Sequence, residues 1–273
     1  MASGPAAPPA QAPPQPPRRA RIPGRVYLAV VLVLVLAAGL LTYLAARHRQ
    51  QQDQLLNARP PGLPASISTA LANLMQLSPV PAKAAPGFVL TDQAGHTLSL
   101  ASFRGRAVVL EFMDPHCTDI CPIVSREFID AYRDLGATAS RVVFLAVNVN
   151  PYHAKVADMA AYSTEQGLNT IPSWHFLTGQ LAALRAVWGS YGVLVDAPGP
   201  DADVIHTSAV YFIDPSGHER FVAEPMDDHT ASGTAYLPPG QLTSWGHGIA
   251  LVARQLVPLD PFGPFLVSDL DRD

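Results

Sequence analysis

The feature that most constrains this chain is a run of 21 residues, Val26 to Ala46, that carries no charge and is dominated by Val, Leu and Ala. As an α-helix, at about 1.5 Å per residue, it is about 31 Å long, the thickness of a bilayer's hydrocarbon core. A cleaved leader is the competing reading, with Ala45-Ala46 as its small-residue site. A leader's apolar region is shorter, roughly 7–15 residues, so the length selects a single transmembrane helix over 26–46. Arg18, Arg19, Arg21 and Arg25 precede the run, while Arg47 and Arg49 follow it. The positive-inside bias then places the N-terminus in the cytoplasm, with residues 47–273 on the extracytoplasmic side of the cell membrane.

Outside the span, composition separates three tails from one domain. Residues 1–25 hold eight prolines and no acidic residue, which predicts a disordered cytoplasmic tail. Residues 47–83 read as a tether rich in Gln and Pro. Within it, Ile67, Ala70, Leu71, Leu74 and Met75 recur at helical spacing and predict a short amphipathic helix. Whether that helix packs on the domain or on the membrane surface stays open. Residues 257–273, with three prolines and four aspartates, form a C-terminal tail. The domain is 84–256. From Arg47 onward 14 Lys plus Arg stand against 22 Asp plus Glu, and this acidic balance excludes nucleic acid as a partner.

The domain alternates strands with helices. Phe88–Leu90 and Thr97–Leu100 flank a turn and predict a hairpin; Ala107–Met113 and Val142–Val149 are apolar runs expected of central strands covered on both faces. Helical patterns cover Asp119–Leu135, Val156–Gln166, Leu181–Tyr191 and Leu242–Leu256. A short strand is predicted at Ser173–Leu177, and a closing pair at Ala209–Ile213 and Glu219–Val222, joined by a turn through Asp214-Pro215-Ser216-Gly217. Crossovers followed by a hairpin and a final helix define an α/β layer architecture of thioredoxin-like fold.

The chemistry falls where the first central strand ends. The chain has two cysteines, Cys117 and Cys121, inside one five-residue window. Pro122 belongs in a first helical turn, so the helix starts near Asp119, a natural N-cap. Cys121 then lies in that turn and Cys117 just before it, where the helix dipole favours thiolates. Thiolates attack disulfides and bind soft metals. Inert buried cysteines or a static disulfide are the bland alternative, and a bridge closing so short a loop stabilises little. Two thiolates are too few for a structural metal site. Of nine histidines, His206 is the best third ligand, because it stands just before the strand Ala209–Ile213, whose end can face the cysteines. His175, between Trp174 and Phe176, reads as a satisfied structural residue, and His116 adjoins Cys117.

The segments Cys117-Thr118-Asp119-Ile120-Cys121-Pro122 and His206-Thr207-Ser208-Ala209-Val210-Tyr211-Phe212-Ile213-Asp214-Pro215-Ser216-Gly217 together resemble the Sco/SenC family of copper chaperones. Phe88–His96 and Phe103–Arg106 resemble it too, a part shared with peroxiredoxins, and the likeness spans roughly 84–256. The resemblance implies a membrane-tethered metallochaperone that binds copper, Cu(I) foremost and Cu(II) as a second state, through Cys117, Cys121 and His206. It implies cytochrome c oxidase subunit II as the partner, whose binuclear copper site it fills or whose cysteines it prepares. Other copper chaperones or thiol reductants complete the implied partners. One departure stands out: the family's acidic Asp-Pro segment after the second central strand is here Asn148-Val149-Asn150-Pro151. That change is expected to alter partner recognition or redox tuning, and His153 lies close enough to be weighed as an extra ligand. The runner-up function is a thiol–disulfide oxidoreductase with Cys117 and Cys121 as its redox-active pair. A third is a thiol peroxidase, on the pattern Thr118-x-x-Cys121.

Overall fold

The computed structural model describes residues 24–56, 59, 61–224 and 239–257. They belong to two compact units that divide after residue 55. The expected tails at 1–25 and 257–273 lie outside the described residues, apart from positions 24 and 25 and Val257, which is buried.

The first unit is helix α1 (Gly24–Leu56). Its apolar side chains are exposed from Tyr27 to Leu44, and Arg25–Gln51 is long and apolar enough to cross a membrane. The helix continues ten residues past Ala46, where the tether was expected to begin. Residues 47–56 contain no Gly or Pro, so nothing in them breaks it.

The second unit opens with α2 (Thr69–Leu74), capped by Ser68, whose Oγ accepts the Leu71 N–H at 3.1 Å. Then come β1 (Ser78–Ala84), β2 (Val89–Thr91), β3 (Thr97–Ser99) and β4 (Ala107–Met113). After these run α3 (Ile120–Leu135), β5 (Val142–Asn148), α4 (Val156–Glu165), β6 (Trp174–Leu177) and α5 (Leu181–Tyr191). Strands β7 (Val195–Asp196), β8 (Ile205–His206), β9 (Val210–Ile213) and β10 (His218–Ala223) precede α6 (Pro239–Leu256). Six strands form one sheet in the order β1-β10-β9-β4-β5-β6. β4, β5 and β6 are parallel, while β9, β10 and β1 add antiparallel to that core. This is the thioredoxin-like layer architecture.

All seven residues of β4 and all seven of β5 are buried, as strands covered on both faces require. Val109 and Met113 share one core with Val124 and Phe128 of α3, Met159 of α4 and Ile249 of α6. Leu110 and Phe112 face the other core, with Leu184 and Trp188 of α5. Each such side chain contributes about 1.5–3 kcal/mol of burial, so β4 is fixed in position and its C-terminal end is a rigid platform. At the far edge, the β2–β3 hairpin shields β6: Thr91 and Thr178 exchange backbone hydrogen bonds of 2.8 and 2.7 Å.

Two findings concern the segment read as tether. β1 begins at Ser78, six residues ahead of the expected boundary at 84, and pairs with β10. Pro79 and Pro81 argue against a strand, but β1 is the sheet's edge, where a missing N–H is tolerated, and its register shifts between Pro79 and Lys83. The α2 region packs on the domain: Ile67 and Met75 are fully buried. Met75 and Leu71 press on α6 at Gly248, where a methyl group would collide with the Met75 sulfur.

Candidate functional site

β4 delivers the chain into the loop 114–119 at the carboxyl end of the parallel strands, where α/β sheets gather their ligands. Asp119 caps α3, its Oδ1 accepting the Ile120 N–H at 2.6 Å. Cys121 and Pro122 occupy the first turn, as the proline required. The two cysteines come together as free thiols: Cys121 is buried, Cys117 half-buried. The Cys117 thiol donates to Asp119 Oδ1 at 2.9 Å, and its sulfur accepts the Cys121 N–H at 3.3 Å.

The pair is electrostatically unequal. A hydrogen bond from the Cys121 side chain holds the Cys117 thiol below its ordinary pKa, against burial and Asp119. Cys121 is pushed well up by its bond to Cys117, by burial, and by charge on Cys117 and Glu111. Cys117 is therefore the readily ionised sulfur and Cys121 the reserve. Cys117 also lines a cleft of about 460 Å³ with His116, Pro122, Asp158, Tyr162 and Glu165. Behind it, Ser125 Oγ donates to the Cys121 carbonyl at 2.8 Å and meets Tyr162 Oη at 3.0 Å.

His206 is the second residue of β8, just ahead of β9. It is half-buried, and its Nδ1 donates to the Thr207 carbonyl at 3.0 Å. That bond leaves Nε2 with the free lone pair, the usual second contact of a ligating histidine. Burial holds its pKa below the usual histidine value, against the Thr207 carbonyl and the charges of Asp114 and Asp119. The imidazole is thus neutral, the ligating form, and within the electrostatic reach of the cysteine loop. Among the described residues, however, no three His, Cys, Asp or Glu side chains converge closely enough to hold a metal ion. The structure brings the two sulfurs together, and His206 stands outside that pair, sensing the cysteine loop through Asp114 and Asp119.

The Asn148–Asn150 departure has a structural counterpart in burial. Both side chains are buried, at 0% and 2% exposure. Asn148 Nδ2 donates to the carbonyls of Asn150 and His153, each at 3.0 Å, which a carboxylate could not do. Asn150 Nδ2 donates to Asp114 Oδ1 at 2.9 Å, where an aspartate would set two buried carboxylates against each other. Asp114 Oδ1 also accepts the His116 N–H at 2.8 Å, so these amides brace the cysteine loop.

Other histidines fall as follows. His175 is structural, as read: its Nδ1 lies 3.1 Å from buried Asp92 Oδ2, which His96 also approaches at 3.4 Å. His153 stacks on His116, ring centroids 3.5 Å apart, a pairing that their separation along the chain hides from sequence reasoning. Sequence reasoning also missed Glu111, buried in β4, whose Oε2 has no hydrogen-bond partner among the described residues and whose pKa is pushed well up by burial. Its signal was a lone acid inside an apolar run.

A sheet of this order, with a C-x-x-x-C pair entering the helix after its central strand, defines a thioredoxin-like dithiol protein. The SCO1/SenC family matches residues 78–232, and the chain belongs to that family. It is 27% identical over 132 residues to the SCO1 protein homolog of Bacillus subtilis, covering 48% of this chain and 68% of that protein. It is 34% identical over 136 residues to the mitochondrial SCO2 homolog of Bos taurus, covering 48% of this chain but only 50% of the relative. Among solved structures, Bradyrhizobium japonicum ScoI with copper bound aligns at TM-score 0.50 and 25% identity, over 64% of this chain and 99% of that one. A SCO1/SenC family lipoprotein from Bacillus anthracis shares the fold at TM-score 0.54 and 20% identity, over 66% and 98%.

Proposed function

We propose that this chain is a membrane-anchored copper chaperone, held by residues 26–46 with its domain outside the cytoplasm, that serves the binuclear copper site of cytochrome c oxidase subunit II. Copper is its cargo. Cys117 and Cys121 supply two sulfurs and His206 Nε2 a nitrogen, a soft set that suits Cu(I). The observation that carries the reading is the pair of free thiols at the start of α3, one reachable from the cleft, with a neutral imidazole turned out from Thr207 nearby. The copper-bound ScoI structure supports it by likeness. Loading displaces the thiol protons, and Cys117, the lower in pKa, ionises first. Oxidation of the pair to a disulfide would expel the metal, which couples delivery to redox state.

The test is titration of the reduced full-length protein in detergent with Cu(I) against a chromophoric chelator. One ion per chain is expected, and none after Cys117→Ser or Cys121→Ser. Unchanged binding in either variant would refute the assignment.

A second reading, preparation of the oxidase's cysteines by thiol–disulfide exchange, is favoured by the unequal thiols: Cys117 attacks and Cys121 resolves. Peroxidase chemistry fits poorly, because the cysteine of Thr118-x-x-Cys121 is the buried, high-pKa one.

A further inference from the structure

His206 sits on a two-residue strand whose flanks are bare: Leu194 is 78% exposed and Ile205 71%. The connection between β7 and β8 is nevertheless fastened at two points by the loop after β5. Tyr152 Oη donates to the Ala197 carbonyl at 3.2 Å, and His153 Nε2 donates to the Pro200 carbonyl at 3.1 Å. The His153 ring at the same time stacks on His116, next to Cys117. Asn150 Oδ1 sets the loop's shape by accepting the N–H groups of Tyr152 and His153 at 3.0 and 3.2 Å. Three separate stretches, the cysteine loop, the loop 150–153 and the hairpin bearing His206, are thus tied through one imidazole.

We propose that His153, assisted by Tyr152, is a latch that keeps the His206 hairpin against the cysteine loop, and so is a positioning residue for metal capture and not a ligand. The proposal rests on the copper reading for its consequence but not for its geometry. His153 has its Nε2 hydrogen committed to Pro200 and one ring face committed to His116. Its effect on a metal must therefore pass through His206. With the latch gone, the hairpin keeps its β7–β8 pairing and the bond from Thr207 N to Leu194 O at 3.0 Å, but loses its tie to the site.

Four full-length proteins in detergent test this: the parent, His153→Ala, His206→Ala and the double variant. In the metal-free state, hydrogen–deuterium exchange across 194–207 should quicken several-fold in His153→Ala while α3 and β4 stay unchanged. Unchanged exchange in the hairpin overturns the latch, whether or not the protein binds copper. Cu(I) affinity should fall about 5–10-fold in His153→Ala, near the lower end of losses for outer contacts of a metal site, and further in His206→Ala. The double variant should match His206→Ala within about a factor of two, since a latch with nothing to position has no effect. A further loss in the double variant equal to that of His153→Ala alone would make His153 act independently and sink the proposal. His153→Gln, which keeps an N–H for Pro200, should restore most of the hairpin's protection; no restoration would mean that the bond to Pro200 is not the tie. If none of the four binds Cu(I), the copper reading fails and exchange alone decides the latch.

Discussion

The two halves of the proposed copper site are built differently. The sulfur half rides on β4 and α3, between two buried clusters, and its loop is braced by Asp114, Asn148 and Asn150. His206, the proposed nitrogen half, rides on a two-residue strand beside exposed Leu194 and Ile205, tied down by Tyr152 and His153. A site with a rigid half and a lightly held half can keep its grip on a soft ion while one ligand opens for transfer. Regions with few buried contacts open at the lowest cost.

The largest loss is expected at the sulfurs. Cys117→Ser or Cys121→Ser should take Cu(I) affinity down by at least about 1,000-fold, about 4 kcal/mol, because a hydroxyl is a poor ligand for a soft ion; chelator competition reads this. Next comes the brace. Asn150→Asp sets a second carboxylate against buried Asp114, and urea denaturation should show a loss of about 2–4 kcal/mol at pH 7. Adding Asp114→Asn should restore most of it. A brace that tolerates Asn150→Asp alone would mean that the loop is less confined than its burial implies. On the nitrogen side, His206→Ala should cost about 30–100-fold in Cu(I) affinity, about 2–3 kcal/mol, with the unfolding midpoint unchanged. His175→Ala should do the reverse, since His175 serves Asp92 and not the site.

The rigid half has its own weak seat, and pH exposes it. Glu127 of α3 is buried against Gly246 of α6, and burial pushes its pKa from 4.5 up to about 8. The folded chain holds a proton there that the unfolded chain releases at lower pH. Stability from this group is therefore full below about pH 4.5, falls as pH rises toward about 8, and is flat above. Glu127→Gln should flatten the profile of urea midpoints between about pH 5 and 8. An unchanged slope would place the proton elsewhere. The smallest effect is expected from Tyr152→Phe, which removes one exposed hydrogen bond to Ala197 and should quicken exchange in 194–207 about twofold, with stability lowered by less than about 1 kcal/mol.

The same division governs what the sequence made legible. β4, α3, β5 and α5 were predicted at or within a residue of their ends, because seven-residue apolar runs and an Asp-capped helical pattern leave one solution. β1 was hidden by prolines that only an edge strand accepts, and β7 and β8 are too short to leave a period. The cysteine pair was visible because its spacing and Pro122 are local facts. Its bracing was not: Asn148 and Asn150 read as a lost acidic motif until their amides were seen buried against carbonyls and Asp114. His206 was singled out by its place before β9 and by family likeness, but the ties of its hairpin to Tyr152 and His153 are tertiary contacts, which no periodicity encodes.

Two sulfurs from the rigid half and one nitrogen from the lightly held half are expected to share a single Cu(I). X-ray absorption on the reduced, copper-loaded full-length protein tests this most directly, with His206→Ala beside it. The parent should show two sulfur scatterers and one nitrogen, and the variant should lose the nitrogen while keeping both sulfurs. Sulfur-only coordination in the parent, or a nitrogen that survives His206→Ala, would contradict it.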